Sequence, residues 1–323
     1  MLVLVCAFAA WWWLPKWSVQ KLRQEIPDAK AGADVEDNFR KTIGQLLGGA
    51  AVILGAGLAY LQTQQTLQAQ SIQAHAALRA QDEQSVRTII SQQIAKGFEL
   101  LGDKDLIKRI GGIYALEGVM DTPEQYHPYH QSVIDGVSAF VRISTGSGTN
   151  ETPLALAADV EAALTVIKRK AGTVKIVLAK AQIPNVILSD SHLVSADLNG
   201  INLSNAELLQ VDLSGGAVLA NANLSNAKMY GADLSYANLN RATLISTQLI
   251  SAKLINASLI EANLSNADLN NADLKDALLK GAILDNADLS SVRNLTQAQL
   301  AGACGTHTKL PSEHMKINEC RKS

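Results

Sequence analysis

The sequence predicts a mixed, membrane-anchored fold with three parts: N-terminal transmembrane helices, a small α-helical domain, and a square coil of short β-strands. Three observations predict it. An apolar residue returns at every fifth position through residues 181–290. Residues 43–61 form a run of 19 residues without a charge, and residues 1–17 contain a second apolar run with four tryptophans.

The five-residue period matches neither an α-helix nor a β-strand, so it indicates an internal repeat. The central apolar residues follow one register from Ile183 to Leu213 and a second from Leu219 to Leu289, and alanine lies two positions before nearly every centre of the second. A chain that turns inward twice in five residues makes a square coil of about twenty residues per turn, whose backbone pairs with the neighbouring turns as in a sheet.

Asn and Asp recur immediately before the central residue. We expect them to form side-chain ladders and to hydrogen-bond the turn backbone, although solubility alone would also favour them. These residues are Asp197, Asn202, Asp212, Asn223, Asp233, Asn238, Asn263, Asp268, Asp273 and Asp288.

The spacing between central residues becomes six across Ser214-Gly215-Gly216. Because glycine tolerates positive φ, we expect a bulge or widened corner there.

The N-terminal apolar segment, residues 1–17, is the weaker membrane candidate. Its residues 1–14 would span about 21 Å as a helix, less than the ~30 Å hydrocarbon core. No basic region precedes it and no small-residue cleavage site follows it, which argues against a cleaved signal peptide. The tryptophans are typical of a membrane interface, so we predict a short or truncated transmembrane helix. A re-entrant or interfacial segment is the alternative.

Residues 43–61 are long enough to span a bilayer. Gly44, Gly48, Ala51, Gly55 and Ala59 fall on one helix face, and small residues on one face let helices approach closely in lipid. The segment would pair with residues 1–17 as a helical hairpin. A glycine-rich core helix of a soluble domain is the alternative.

Basic residues indicate which side of the membrane each part occupies. Six of them flank or lie in the polar connector 18–42, and the next basic residue after 43–61 is Arg79. The positive-inside rule therefore places the connector in the cytoplasm and the C-terminal part outside it. The six are Lys16, Lys21, Arg23, Lys30, Arg40 and Lys41.

Residues 62–143 predict a helical stalk followed by an α-helical domain. Residues 62–84 lack Gly and Pro and continue the membrane helix, and apolar residues recur at helical spacing from Val86 to Leu101, where Gly102 can end the helix. A second helix covers 105–120, and Thr122-Pro123 starts a third. Three such helices are similar to one unit of an α-solenoid.

The remaining boundaries follow composition. Residues 144–152 predict a flexible linker, because they are rich in Gly, Ser and Thr. Residues 153–180 form the N-terminal cap of the coil, with a helix through about Lys170, and residues 291–323 form its C-terminal cap and tail. Thr296 is the expected N-cap of a short helix there. Caps are needed because an open β-coil exposes unpaired strand edges.

The sequence indicates no catalytic, cofactor-binding or metal-binding residue. His127 and His130 lie three apart, but no third ligand is near, so a polar surface turn is the preferred interpretation. His192 is the only histidine of the repeats. The three cysteines are too few for a disulfide framework. A Cys304–Cys320 bridge in an oxidising compartment and two free thiols both remain open.

The segments ADLSYANLNRATL and EANLSNADLNNADLKDALLKGAIL closely resemble the Ala-(Asp/Asn)-Leu-x-x unit of the pentapeptide-repeat proteins. DNFRKTIGQLLGGAAVILG, IAKGFELLGDKDLIKRIGGIYALEGVM, VSAFVRI, DVEAALTVIKR and LTQAQLAGACG resemble a bacterial membrane-anchored subgroup with a helical domain before the repeats. The resemblance implies a right-handed quadrilateral β-helix for 181–290. The short first segment and the skip at Gly215-Gly216 depart from the family pattern.

Three functions follow as hypotheses. The preferred one is a non-enzymatic scaffold or protein-binding module, tethered to the bacterial inner membrane through 43–61 and 1–17, with an unknown protein partner and a homo-oligomer as options. Soluble family members that resemble duplex DNA suggest the alternative, a DNA-mimic regulator of a topoisomerase. Residues 181–290 carry 11 acidic and 5 basic residues, a net charge of −6, which is dilute for such mimicry. An enzyme is the third hypothesis. No nucleic-acid partner and no cofactor are expected.

Overall fold

The computed structural model of this chain describes residue 13 and residues 29–146, 156–172 and 174–320. The chain divides into two units, Met1–Val86 and Arg87–Ser323. The helices are α1 (Ala29–Leu101), α2 (Leu106–Val119), α3 (His127–Gly146), α4 (Ala158–Lys170) and α5 (Gln297–Leu300), with a 3₁₀ helix at Glu124–Tyr126.

Helix α1 is longer than the sequence predicts. From Ala29 it includes the C-terminal part of the predicted polar connector 18–42, where the i,i+4 ion pairs Arg40–Glu36 and Lys41–Asp37 support helical backbone. It then runs without a break through 43–61 and the polar residues 62–84. Among the described residues it is the one helix long and apolar enough to cross a membrane, a test that a signal sequence would also pass. Apart from the exposed Trp13, the segment 1–17 lies outside the described residues.

The break between the first two helices lies where the sequence pattern predicts it. Helix α1 ends one residue before Gly102. Helix α2 then starts at an N-cap, because the Asp105 carboxylate accepts a hydrogen bond from the Ile107 N–H at 2.8 Å. Apolar side chains of α2 and α3 are fully buried, among them Ile113, Leu116 and Ile134.

Glycines let the end of α1 pack closely on α2 and α3. A Cβ on Gly112 would lie 2.7 Å from the Gly97 carbonyl oxygen and 2.9 Å from the Leu101 nitrogen. A Cβ on Gly136 would lie 2.2 Å from the Phe98 ring. The atoms near Gly112 belong to the backbone, so only glycine allows α1 and α2 to pack this closely, whereas a Cβ on Gly136 would displace the Phe98 ring.

Two predicted boundaries between the helices and the coil need correction. Helix α3 continues to Gly146, so the linker 144–152 begins later than expected, and its remainder lies outside the described residues. Helix α4 begins at Ala158, five residues after the predicted Pro153, and the Thr152-Pro153 start itself lies outside the described residues. The buried Asp159 carboxylate pairs with Arg109 at 2.6 Å and fixes α4 to α2.

The repeats form a four-sided coil with parallel β-bridges twenty residues apart, such as Gln182 to Asn202. Across the Gly215-Gly216 skip the separation becomes 21, as between Asp197 and Val218. The alanine and leucine columns are buried and form the core. The coil begins before the predicted residue 181, because Val177 already pairs with Asp197. It also extends past 290, since Cys304 pairs with both Ile283 and Asn318.

Side chains cap several backbone positions at the two ends of the coil. At the N-terminal end, Gln131 of α3 exchanges hydrogen bonds with the backbone of Lys175 at 2.9 and 3.0 Å, and the Gln182 N–H donates to Thr145 Oγ1 at 3.1 Å. The N-terminal cap thus includes α3, which the sequence assigned to the helical domain alone.

At the C-terminal end, α5 replaces one strand position. Thr296 is its N-cap, within a complete capping box, as the sequence predicts. The Gln299 side-chain amide donates to the carbonyls of Leu274 and Ala277 at 2.8 and 2.9 Å. Cys304 and Cys320 form a disulfide that holds the last bridging segment on the coil.

Candidate binding surfaces of the repeat coil

Most corners of the coil are four-residue turns, each built from one repeat. In the turn from Leu203 to Ala206, the Ala206 N–H donates to the Leu203 carbonyl at 3.1 Å, and the third residue, Asn205, has a φ of +58°. Type II turns require positive φ at this position, which explains why Gly and Asn recur there. Non-glycine residues with positive φ, all between +52° and +65°, occupy most of the other corners.

The Asn and Asp residues before the central leucine brace these turns, and the prediction of backbone hydrogen bonds is confirmed. In each of the ten, Oδ1 accepts from the backbone N–H two residues further on at 3.0–3.1 Å. This is the Asx-turn arrangement. The six carboxylates among these ten residues therefore have a structural role in their turns.

Ion pairs between successive turns of the coil connect several of the remaining charges. Lys228 pairs with Glu207 at 2.7 Å, and Lys309 pairs with Asp288 at 2.8 Å. Hydrogen bonds from Lys309 and Ser290 hold the pKa of Asp288 well below its usual range. The Glu207 carboxylate raises the pKa of Lys228.

The carboxyl of Asp233 is also stabilised in its charged form. Burial works against its charged form, yet hydrogen bonds from Ser235 and Lys253 lower the pKa of its carboxyl. The outer surface thus carries paired charges as well as exposed carboxylates.

The skip in the repeat has the predicted geometry. Gly215 and Gly216 have φ values of +67° and +84°, and the extra residue lies in the turn at that corner. A Cβ on Gly215 would lie 2.8 Å from Val194 Cγ1, whereas one on Gly216 would meet nothing within 4 Å. Positive φ favours glycine at both positions, and the close contact with Val194 favours it further at Gly215.

The histidines are not brought together into a site. His130 is buried in α3, with Nε2 at 3.0 Å from Thr122 Oγ1, so it does not lie in a polar surface turn as the sequence suggested. The side chain of His127 lies outside the described part of the structure. His192 is exposed on the first turn of the coil, and among the described residues no group of three or more His, Cys, Asp or Glu side chains is placed to hold a metal.

A few large apolar side chains point outward from the coil. The most exposed are Ile187, at 63 %, Tyr236, at 62 %, and Leu278, at 53 %. Ile187 and Leu278 lie at opposite ends of the coil, and Tyr236 lies at a corner of a middle turn. Sequence reasoning did not single them out, because the repeat pattern specifies the inward positions and leaves the outward ones free.

Comparisons with known proteins identify the repeat. The family model of the pentapeptide repeats matches in eight copies, over residues 188–216, 215–244, 244–281, 257–293 and 267–304. A pentapeptide-repeat protein from the thylakoid lumen of Arabidopsis thaliana is 30% identical over 34% of this chain and 79% of its own, with a TM-score of 0.32. The chain belongs to the pentapeptide-repeat family.

Two further proteins of known structure are similar to it. HetL of the cyanobacterium Nostoc, which is involved in the regulation of heterocyst differentiation, is 26% identical over 45% of this chain and 84% of its own, with a TM-score of 0.26. The plasmid-mediated fluoroquinolone resistance protein QnrB1 is 18% identical over 42% and 77%, with a TM-score of 0.29. Comparison with curated protein sequences found no match. Because the TM-scores are low, membership in the family rests on the repeated sequence.

Proposed function

We propose that this pentapeptide-repeat protein is a non-enzymatic binding protein tethered to the bacterial inner membrane. Residues 43–61 would anchor it, and the repeat coil would present its outer faces to a protein partner. The solenoid suits this role, since repeat coils bind through extended surfaces.

The observation that carries the proposal is the exposure of residues 43–61. None of them is buried, and Leu46, Val52, Ile53, Leu54 and Leu58 each expose more than 60 % of their surface. Each such side chain gains roughly 1.5–3 kcal/mol on leaving water, so a helix surface of this kind favours lipid or another apolar helix. A bilayer would cover the apolar side chains on every side of the helix.

Two observations support an extracytoplasmic location for the coil. The basic residues before 43–61 favour the cytoplasm for that flank. The Cys304–Cys320 disulfide suits an oxidising compartment, because disulfides rarely persist in the cytosol.

The chemistry of the coil supports binding over catalysis and over DNA mimicry. Its Asx residues brace turns, and several carboxylates are neutralised by ion pairs, including Glu207, Asp233 and Asp288. A surface that imitates the DNA backbone needs dense, unpaired negative charge, because a duplex carries one charge per about 1.7 Å. Paired carboxylates do not supply it.

Extraction of membranes from expressing cells with alkaline carbonate tests the tether. We expect the full chain to stay in the membrane pellet. A matched variant, Leu54→Arg with Leu58→Arg, should be extracted more readily, because each arginine costs about 2.5–3.5 kcal/mol at the centre of a spanning helix. Recovery of the wild-type chain in the soluble fraction would rule the tether out. Crosslinking in the same membranes should then join the coil to a second protein.

A further inference from the structure

Several backbone positions at the N-terminal edge of the coil have no cap among the described residues, and Ile187 is the one of them with the most exposed apolar side chain. Gln182 is capped by Thr145, and Lys175 is capped by Gln131. In contrast, neither the N–H nor the C=O of Ile187 has a hydrogen-bond partner among the described residues. The bridge to the next turn uses Leu188 N–H to Glu207 O and Glu207 N–H to Val186 O, both at 2.9 Å. The polar groups of Ile187 itself therefore face away from the coil.

The side chain of Ile187 is also unusual for its column. In the following turns the same outward position holds only polar or charged residues: Glu207, Lys228, Gln248, Asp268, Asp288 and Lys309. Ile187 is 63 % exposed. Natural proteins protect free strand edges with charge, short strands or a cover, so an exposed isoleucine on an open edge favours association.

A groove of about 420 Å³ lies beside this edge, between the first turn of the coil and α4. Leu156, Leu164 and Val186 give it an apolar lining, and Glu161 and Lys168 lie along its α4 side, seven residues apart. Neither of these two charged side chains forms an ion pair within the described residues. An extended peptide in this groove can meet an open strand edge on one side and apolar side chains on the other.

We propose that this groove binds an extended segment of a protein partner by strand addition at Ile187. The free N–H and C=O select a backbone in the β conformation, as in other cases of β-augmentation. Leu156 and Leu164 select an apolar side chain, and Glu161 and Lys168 favour opposite charges at the matching ends of the segment. The inference deepens the proposed binding role and rests on it, because it names where and how the partner is held.

Two substitutions separate the backbone from the side chain. Ile187→Pro removes the outward N–H and leaves the atoms of the bridge to Glu207 in place. Ile187→Lys keeps the N–H and adds charge to the edge. Leu278→Lys is the matched control, because Leu278 is 53 % exposed at an equivalent outward position while its own N–H and C=O are paired with Ala257 and Leu259.

The test uses the full chain in lipid nanodiscs and a displayed library of random peptides as the probe. Selected peptides should bind the wild type and the Leu278→Lys variant equally, and lose about tenfold or more in affinity for both Ile187 variants. Melting curves check that the variants are folded. If Ile187→Pro does not fold, the Ile187→Lys variant decides the test. Bound peptide should slow hydrogen exchange of the Ile187 amide.

Four results would overturn the inference: no selected peptide, equal binding to the Ile187 variants, slow exchange of the Ile187 amide in the protein alone, or concentration-dependent dimers that Ile187→Lys abolishes. Slow exchange would mean that the chain itself covers the edge. If any of these results occurs but a partner still crosslinks to Tyr236, the groove proposal fails while the proposed binding function stands. The failure of one is therefore distinguishable from the failure of the other.

Discussion

At the scale of the residue, the coil depends on positions that accept positive φ. Asn occupies many of them, and Lys180, Arg241, Tyr236 and Glu261 adopt the same conformation. Non-glycine residues pay a conformational cost of about 1 kcal/mol or more there, so the surrounding hydrogen bonds must hold them. The buried Thr247 takes an alanine position of the core, and its hydroxyl is satisfied because it donates to the Leu224 carbonyl at 2.8 Å.

The two glycines of the skip provide a matched pair. Gly215→Ala should lower the free energy of unfolding by about 1 kcal/mol more than Gly216→Ala, because only the first places a Cβ against Val194. Both substitutions carry the cost of positive φ, so the difference isolates the contact. Urea denaturation measures it. Equal losses would contradict the view that this corner is crowded.

At the scale of the element, patterns in sequence locate helices well and their contacts poorly. Asp105, Gly102 and Thr296 mark helix ends that the structure reproduces within a residue or two. Capping of the coil by Gln131 and Gln299 was not predictable, because each acts on backbone more than 20 residues away. A glutamine on a helix carries no local signal for such a role.

Neighbouring glycines of α2 test the helix crossing. Gly112→Ala should destabilise the helical domain by about 1–3 kcal/mol, because its Cβ would overlap the Gly97 carbonyl. Gly111→Ala meets nothing within 4 Å and should stabilise the helix by about 0.5–1 kcal/mol. Thermal unfolding followed by circular dichroism gives the signs. A neutral Gly112→Ala would show that the helices do not cross this closely.

The Asp288–Lys309 pair makes the C-terminal end of the coil sensitive to acid. The pKa of Asp288 is lowered in the folded protein, so its contribution is present above the unfolded value of about 4 and is lost as the pH falls through the folded value. Asp288→Asn should flatten the loss of stability below about pH 4. An unaltered slope in Asp288→Asn would contradict this role.

At the scale of the whole molecule, the architecture of the coil followed from the repeat alone, whereas function did not. Period five fixes which side chains face inward, and those are the buried Ala and Leu columns. It leaves outward residues such as Ile187 and Tyr236 unconstrained, and these are where a partner would be recognised. The sequence also could not decide between a disulfide and two free thiols at Cys304 and Cys320, because the outcome depends on how the tail folds back onto the coil.

The disulfide should stabilise the C-terminal end of the coil. It closes a loop with a sequence separation of 16 residues. A disulfide that closes a loop of about 15 residues stabilises the folded protein by roughly 3 kcal/mol, because it restricts the unfolded chain. Denaturation with and without a dithiol reductant measures the effect. The free energy of unfolding of a Cys304→Ser, Cys320→Ser variant should equal that of the reduced wild type and should not change with the reductant. Identical curves for oxidised and reduced wild type would contradict it.

Trypsin treatment of intact spheroplasts tests the central claim, that 43–61 tethers an extracytoplasmic repeat coil. Arg79 is the one basic residue of the exposed stretch 62–84, and cleavage there or at Arg87 would separate the two units of the chain. The prediction is release of a stable fragment that contains the repeat coil into the medium, while the N-terminal part stays with the membrane. A fragment that appears only after the spheroplasts are lysed would contradict the account.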